Sequence, residues 1–367
     1  MARKLKSDRV LFFTTIILAF SGLVMVYSAS SMLRPLDGNA SGVFLNKQFL
    51  FVVFGLAVMA ATMKIDYHAY QLPRFIWALL AFTIVALVAV LVFGPKINGT
   101  RRWFHLAGVG IQPSELAKIA MVIFTAAVLA RRMDRIRELR YALGPIAMVL
   151  AAIFALIYFE PDFGSAVAIA VVVAVMVFAA GIPIRYLLMI GAGALPILAG
   201  IAVLEPYRVK RFLIFLHPDS DPQGKGFQIL QSLIAVGTGG VTGRGLGESI
   251  QKMSFLPFPH TDFIYAVTAE ELGLIGATLM LVCFAILTWR GLRVVSRAPD
   301  AFGSLLALGV TAMIAVQAFM NISVVLGLLP TKGIPLPLVS YGGSSLIASL
   351  LAMGVLLNIS QQASAEG

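Results

Sequence analysis

Charge is scarce in this chain. Only 12% of its 367 residues are Asp, Glu, Lys or Arg, against about 25% in an ordinary soluble domain. Water is therefore not its main solvent. Cysteine is scarcer still: Cys283 stands alone inside an apolar run, which excludes an intramolecular disulfide framework. Four widely spread histidines give no zinc-ligand spacing. No internal repeat is visible, so the inverted-repeat plan of many transporters finds no support. There is also no low-complexity linker and no second soluble domain, and the whole of 1–367 reads as a single membrane domain.

Apolar residues fill the space instead. They make up 59% of the chain, with a mean hydropathy of +0.93. A bilayer core about 30 Å thick takes roughly 20 apolar residues in helix. Candidate spans are 10–31, 44–63, 75–94, 114–130, 142–159, 164–180, 184–204, 263–289, 302–328 and 340–360. The expected fold class is an all-α integral membrane bundle of about ten helices. The basic run before Val10 and the small residues Ser28-Ala29-Ser30 imitate a signal peptide, but the apolar run is long for one and reads as a retained first helix.

The net charge of +11 comes mostly from basic residues flanking apolar runs, which is how membrane proteins set topology, and nucleic acid is not implied. With the N-terminus inside, the inner segments are 64–74, 131–140 (RRMDRIRELR), 181–185 and 290–300, with Arg290, Arg293 and Arg297. Both termini are then expected to be cytoplasmic. Loop 95–113 departs from the pattern with Lys96, Arg101 and Arg102 on the outer side. The long outer loop 205–262 departs as well. Its centre, Gly226 to Val236, is apolar but interrupted by Gln228, Gln231 and Ser232, and reads as an interfacial or re-entrant helix.

Five polar sites break the apolar rule, and charge at membrane depth usually faces a bundle interior or a cavity. Gln112 to Lys118 opens the fourth span: Pro113 suits a first turn, and Gln112 or Ser114 suits a cap. Glu115 and Lys118 share a face, either as a structural pair or with Lys118 aimed at a buried anion. Arg101 and Arg102 beside Trp103 suit an interface anchor or, equally, a phosphate site. Glu160 and Asp162 crowd a tight outer turn, where capping competes with a substrate or metal role. Asp262 directly precedes the eighth span, beside His260. It reads as a plain N-cap or as a general base at the membrane edge. Glu270 and Glu271 follow inside that span, where buried pairs are expected. Finally, Gly327 to Ser345 is dense in Pro and Gly. Lys332 is the sole base of that outer loop, and Ser340 and Tyr341 stand where an unwound start of the last helix would leave backbone groups open to a ligand.

Together these stretches resemble one family. Tyr27-Ser-Ala-Ser30, Arg101-Arg102-Trp103, Gln112 to Lys118, Pro161-Asp162-Phe-Gly164, Gln231 to Gly237, Pro259-His-Thr-Asp-Phe-Ile264, Ala269 to Gly273 and Leu329 to Ser345 are similar to the SEDS proteins (shape, elongation, division and sporulation), the FtsW/RodA group of cell-wall polymerases. The matches run in the family's order from first span to last. Leu329-Pro-Thr-Lys332-Gly looks more like the division branch, FtsW, than the elongation branch, RodA.

The resemblance implies a peptidoglycan glycosyltransferase of the bacterial cytoplasmic membrane. It would polymerise lipid II on the outer face, release undecaprenyl diphosphate, and work at the division septum if of the FtsW type. It also implies partners: a class B penicillin-binding protein (an FtsI-type transpeptidase), other divisome proteins and membrane lipids. Asp262 matches the family's essential aspartate, the proposed base. Lys118 and Lys332 match positions tied to activity, where they would stabilise the diphosphate leaving group. Arg101, Arg102 and His260 are further candidates for the diphosphate and sugar, with Glu115, Asp162, Glu270, Ser340 and Tyr341 in support. A divalent cation, Mg or Mn, fits the same need, although no ligand cluster is legible.

One departure stands out. Many members carry Leu-Pro-Glu where this chain has Leu256-Pro257-Phe258, so a second carboxylate from this short segment is not expected. Glu248 could substitute only by its place in space, which the sequence does not show. Two other function classes stay open: a lipid II flippase or transporter, and a non-catalytic scaffold. An elongation-type polymerase is the alternative within the family.

Overall fold

In a bilayer every backbone group must find its partner inside the chain, so apolar segments of this length close into helices. The computed structural model describes residues 7–30, 40–97, 99–106, 109–136, 138–186, 188–189, 191–193, 200, 213–218, 225–253, 255–331 and 333–363. Among these residues, eight helices are long and apolar enough to cross a membrane. They are α1 (Arg9–Ser30), α2 (Ala40–Thr62), α3 (Pro73–Phe93), α4 (Pro113–Arg131), α5 (Leu139–Phe159), α8 (Ile264–Arg297), α9 (Ala301–Val325) and α10 (Gly343–Ala363). Between α5 and α8 lie α6 (Phe163–Ala179), one turn shorter, and α7 (Lys225–Thr238). A shorter apolar helix covers Ile184–Gly193. Most of the expected seventh span, 184–204, lies outside the described residues.

Helices α4 and α9 are each 83% buried over their apolar windows and α10 is 78%, whereas α2, α3, α5 and α8 are 22–28% buried. The first three therefore form the centre and the others present an apolar face outward. Close approach uses small residues. A β-carbon on Gly22 of α1 would lie 2.5 Å from the Val339 carbonyl oxygen, so α1 packs flush on the turn before α10. The start of α1 and the end of α10 meet at one end of the bundle, where Asp8 N–H donates to Ser360 Oγ at 3.1 Å and Arg290 pairs with Asp8 at 2.5 Å.

Apart from the seventh, the expected spans agree with the helices except at their ends. Helix α8 does not stop at 289 but runs to Arg297. Its last turns carry Arg290, Arg293 and Arg297, which an apolar window rejects and a helix accepts. The last helix starts at Gly343 rather than 340, because residues 337–341 form a turn. Loop 95–113 contains an antiparallel hairpin, β1 (Phe104–Leu106) with β2 (Val109–Ile111). The apolar middle of the long loop is helical, as expected, and α7 packs against α8 and α9.

Helix α8 is broken at Gly273, whose φ is 65°. The backbone groups freed there are taken up by the long loop. Leu274 N–H donates to Gly240 O at 2.9 Å and Ile275 N–H to Val241 O at 3.2 Å, while Arg244 and Gly245 N–H donate to Glu270 and Glu271 O at 3.1 and 3.0 Å. A β-carbon on Gly273 would sit 2.3 Å from Gly243 N, so this splice requires glycine. Side chains reinforce it. The Glu270 carboxylate accepts from Ser249 Oγ and from the N–H of Ile250 at 3.0 Å. Glu271 pairs with Lys252 at 2.7 Å, both fully buried, and accepts from Ser28 Oγ of α1.

Candidate functional site

The polar motifs gather at the end of the bundle opposite the chain termini. Four segments meet there: the described residues of 101–112, the 160–162 turn, 258–262 and 333–341.

Asp262 is not the N-cap of α8. Phe263 holds that position, without a side-chain cap bond. The Asp262 backbone is held by Asn321, whose Nδ2 donates to its carbonyl at 2.8 Å. Upstream, Ser340 Oγ donates to Thr261 O at 2.5 Å and Tyr341 N–H donates to His260 O at 2.9 Å. This loop is thus pinned from both sides and its carboxylate is left available. Asp262 keeps a partly open surface yet has protein on most sides. Burial, then repulsion from Asp162, push its carboxyl up to about 7, against the opposing pull of the Arg102 guanidinium and the Thr261 hydrogen bond. A carboxylate with that proton affinity suits a base working at neutral pH.

His260 lies between Phe44 and Tyr341, with ring centroids 5.1 and 5.6 Å away. Burial pushes its imidazole down to about 4, so it is neutral at pH 7 and offers no positive charge to a diphosphate. Its Nδ1 is buried without a partner.

Asp162 caps α6, accepting from Ser165 N–H at 3.3 Å, which bears out the capping reading of that turn. It also accepts from Gln112 Nε2 at 2.9 Å and Ser114 Oγ at 3.3 Å. Neither of those two caps α4 with its side chain. Gln112 occupies the N-cap position, but its amide is drawn to the stronger acceptor. Glu160 ends α5 with both carboxylate oxygens buried and unpartnered. Burial, then Asp162, raise it to about 8.

The arginines are partly engaged already. Arg101 donates to the carbonyls of Leu91 and Val92, closing the C-terminal end of α3. Arg102 donates through Nε to Glu160 O at 2.8 Å and through Nη2 to Pro161 O at 2.5 Å. It still acts on Asp262 and Glu160 at range.

Lys118 pairs with Glu115 at 2.8 Å inside the bundle, as the spacing implies, and donates to Gln317 Oε1 at 2.9 Å. The cavity beside it measures about 10 Å³, the size of one water and too small for a phosphate. Glu270 serves the α8 splice and does not face Asp262. Glu248 is exposed, in the turn after Gly245, and no described contact joins it to Asp262. Lys332 lies outside the described residues, but its neighbour Gly333 lies against the Asp262 carboxylate. Ser340 and Tyr341 pin the 258–262 loop, so the Tyr341 N–H is not open to a ligand.

Sequence reasoning missed Gln317, Asn321 and Lys252. The first two stand four apart in an otherwise apolar span, which is the signal that could have found them. Lys252, in a loop, carries no such signal. Among the described residues, no group of three or more His, Cys, Asp or Glu could hold a metal ion.

The chain is similar to known proteins along nearly its whole length. Stage V sporulation protein E of Bacillus subtilis is 41% identical over 98% of each chain. The probable peptidoglycan glycosyltransferase FtsW of Trichlorobacter lovleyi is 43% identical, over 96% of this chain and 93% of its own. A chain solved in a peptidoglycan synthase complex, in which polymerization and crosslinking are coordinated, superposes with a TM-score of 0.81 at 33% identity. It covers 98% of this chain and 99% of its own. A family model described as cell cycle protein, for FtsW, RodA and SpoVE, matches residues 8–365. From the first helix to the last, then, this multi-pass membrane protein belongs to the FtsW/RodA/SpoVE family.

Proposed function

We propose that this protein is a peptidoglycan glycosyltransferase that polymerises lipid II at the outer face of the bacterial cytoplasmic membrane, with Asp262 as general base. One observation carries the reading. A carboxylate with neutral-range proton affinity is held by its backbone, engaged in no helix cap, at a partly open site among conformationally restricted loops.

In the transfer, Asp262 takes the proton of the acceptor sugar hydroxyl. That oxygen bonds to the anomeric carbon of the donor, and the carbon–oxygen bond to the diphosphate breaks with its electron pair leaving on phosphate. Arg102, together with Lys332, which precedes Gly333 in sequence, would offset the charge that develops there. A divalent cation, Mg or Mn, fits this donor set only as one shared with the diphosphate. Asp162 would hold it together with phosphate oxygens, leaving the Asp262 carboxylate free to take the proton. It would neutralise leaving-group charge. The neutral His260 and Tyr341 offer ring faces to a sugar, in line with their half-buried position.

The FtsW-type relatives and the loop around Lys332 favour the division branch, and hence work at the septum beside an FtsI-type transpeptidase and other divisome proteins. Both termini, which share one end of the bundle, are assigned to the cytoplasm by the basic segments at that end. The test is purified protein with labelled lipid II, with and without the cognate transpeptidase. Polymer is expected from the wild type and none from a folded Asp262→Ala. Polymer from Asp262→Ala sinks the base assignment, and substrate crossing a liposome bilayer without polymer favours a transporter.

A further inference from the structure

Two amides one turn apart on α9 hold the main chain at Asp262 and in the 334–335 segment that faces it. Asn321 Nδ2 donates to Asp262 O at 2.8 Å and to Ile334 O at 2.7 Å. Gln317 Nε2 donates to Pro335 O at 3.1 Å, and its Oε1 accepts from Lys118 Nζ. Lys118 in turn is paired with Glu115. A continuous polar line therefore runs from α4 through α9 into residues 334–335, next to Gly333 and the Asp262 carboxylate.

All four side chains are buried, between 1% and 6% exposed, so as they stand no substrate group touches them. The chemistry of each also suits a tether. A glutamine bridges an ammonium and a carbonyl because it has both an acceptor and a donor, whereas a carboxylate lacks the donor and a lysine the acceptor. Asn321 has two N–H groups, and both reach carbonyls.

We propose that Gln317 and Asn321 are positioning residues for the transfer. The Glu115–Lys118 pair acts through Gln317, setting residues 333–336 against Asp262 rather than touching the diphosphate. This rests on the reading of Asp262 as base. In a close-packed bundle, loss of a tether lets the 333–336 segment drift, and a misplacement of about 1 Å costs on the order of 10²-fold in rate.

Gln317→Glu is the discriminating variant. It keeps an acceptor for Lys118 and removes the donor to Pro335. In a lipid II assay it is expected to lower kcat by on the order of 10²-fold while leaving KM nearly unchanged, with faster amide hydrogen exchange confined to 333–336. Lys118→Met with Gln317→Met is expected to be no worse than either single change, because both cut one line. A folded Gln317→Glu with wild-type kcat overturns the proposal. So does a raised KM for Lys118→Met that persists in the Gln317→Met background, since that marks direct contact with substrate. If Gln317→Met does not fold, the exchange and rates of Gln317→Glu decide alone. Activity in Asp262→Ala would sink the base assignment separately, whereas the exchange result stands without any activity.

Discussion

Gly333 and the carboxylate of Asp262 are in contact: a β-carbon on Gly333 would lie 2.9 Å from Asp262 Oδ2. Gly333 is not in the left-handed region of backbone space, so alanine fits its conformation and meets only the carboxylate. Gly333→Ala should therefore leave thermal unfolding unchanged and lower kcat by roughly 10- to 100-fold through displacement of the base. Wild-type turnover in Gly333→Ala would show that the carboxylate has room to move without loss.

The proton affinity of Asp262 makes two statements about pH. As a base it must be ionised, so kcat/KM for lipid II should fall below an apparent pKa of about 7. Its folded value is raised above the ordinary 3.8. The stability it contributes is therefore complete below 3.8 and lost as pH rises through about 7. Asp262→Asn should then be inactive yet melt no lower than wild type at pH 8. A lower melting temperature there would contradict the burial that raises the carboxyl.

Arg102 pulls Asp262 the other way. Arg102→Gln should shift the acid limb of the kcat/KM profile to higher pH and also loosen the Glu160–Pro161 turn it holds. An unmoved limb would mean that solvent screens this pair.

Lys252 and Glu271 form an ion pair with both side chains at 0% exposure. Lys252→Met should cost about 3–5 kcal/mol, the penalty for a buried charge left unpaired. Adding Glu271→Gln should return part of it, as read by thermal or denaturant unfolding. Equal stability of wild type and Lys252→Met would show water reaching Glu271.

Helix placement was legible because apolar length is a local property. The Glu115–Lys118 pair was legible for the same reason, since helix spacing alone brings it together. What escaped depends on distant partners. Gln112 lies at a helix start and looks like a cap, but Asp162, fifty residues on, takes its amide. Asp262 also looks like a cap, and only Asn321 and Ser340 show its loop pinned some other way. Arg101 and Arg102 read as an interface anchor or a phosphate site because nothing near them in sequence announces the carbonyls of Leu91, Val92, Glu160 and Pro161. The β1–β2 hairpin, three residues per strand, is too short for an alternation to show.

The splice at Gly273 limits how the site can open. Residues 240–245 supply hydrogen-bond partners that α8 lacks at its break, so lifting them would strand four backbone groups at membrane depth. That stretch is a wall of the helix bundle, and it cannot swing as a lid. Traffic of a long-tailed substrate and a growing product must pass elsewhere around Asp262, and a crosslink tying 240–245 to α8 should leave turnover intact.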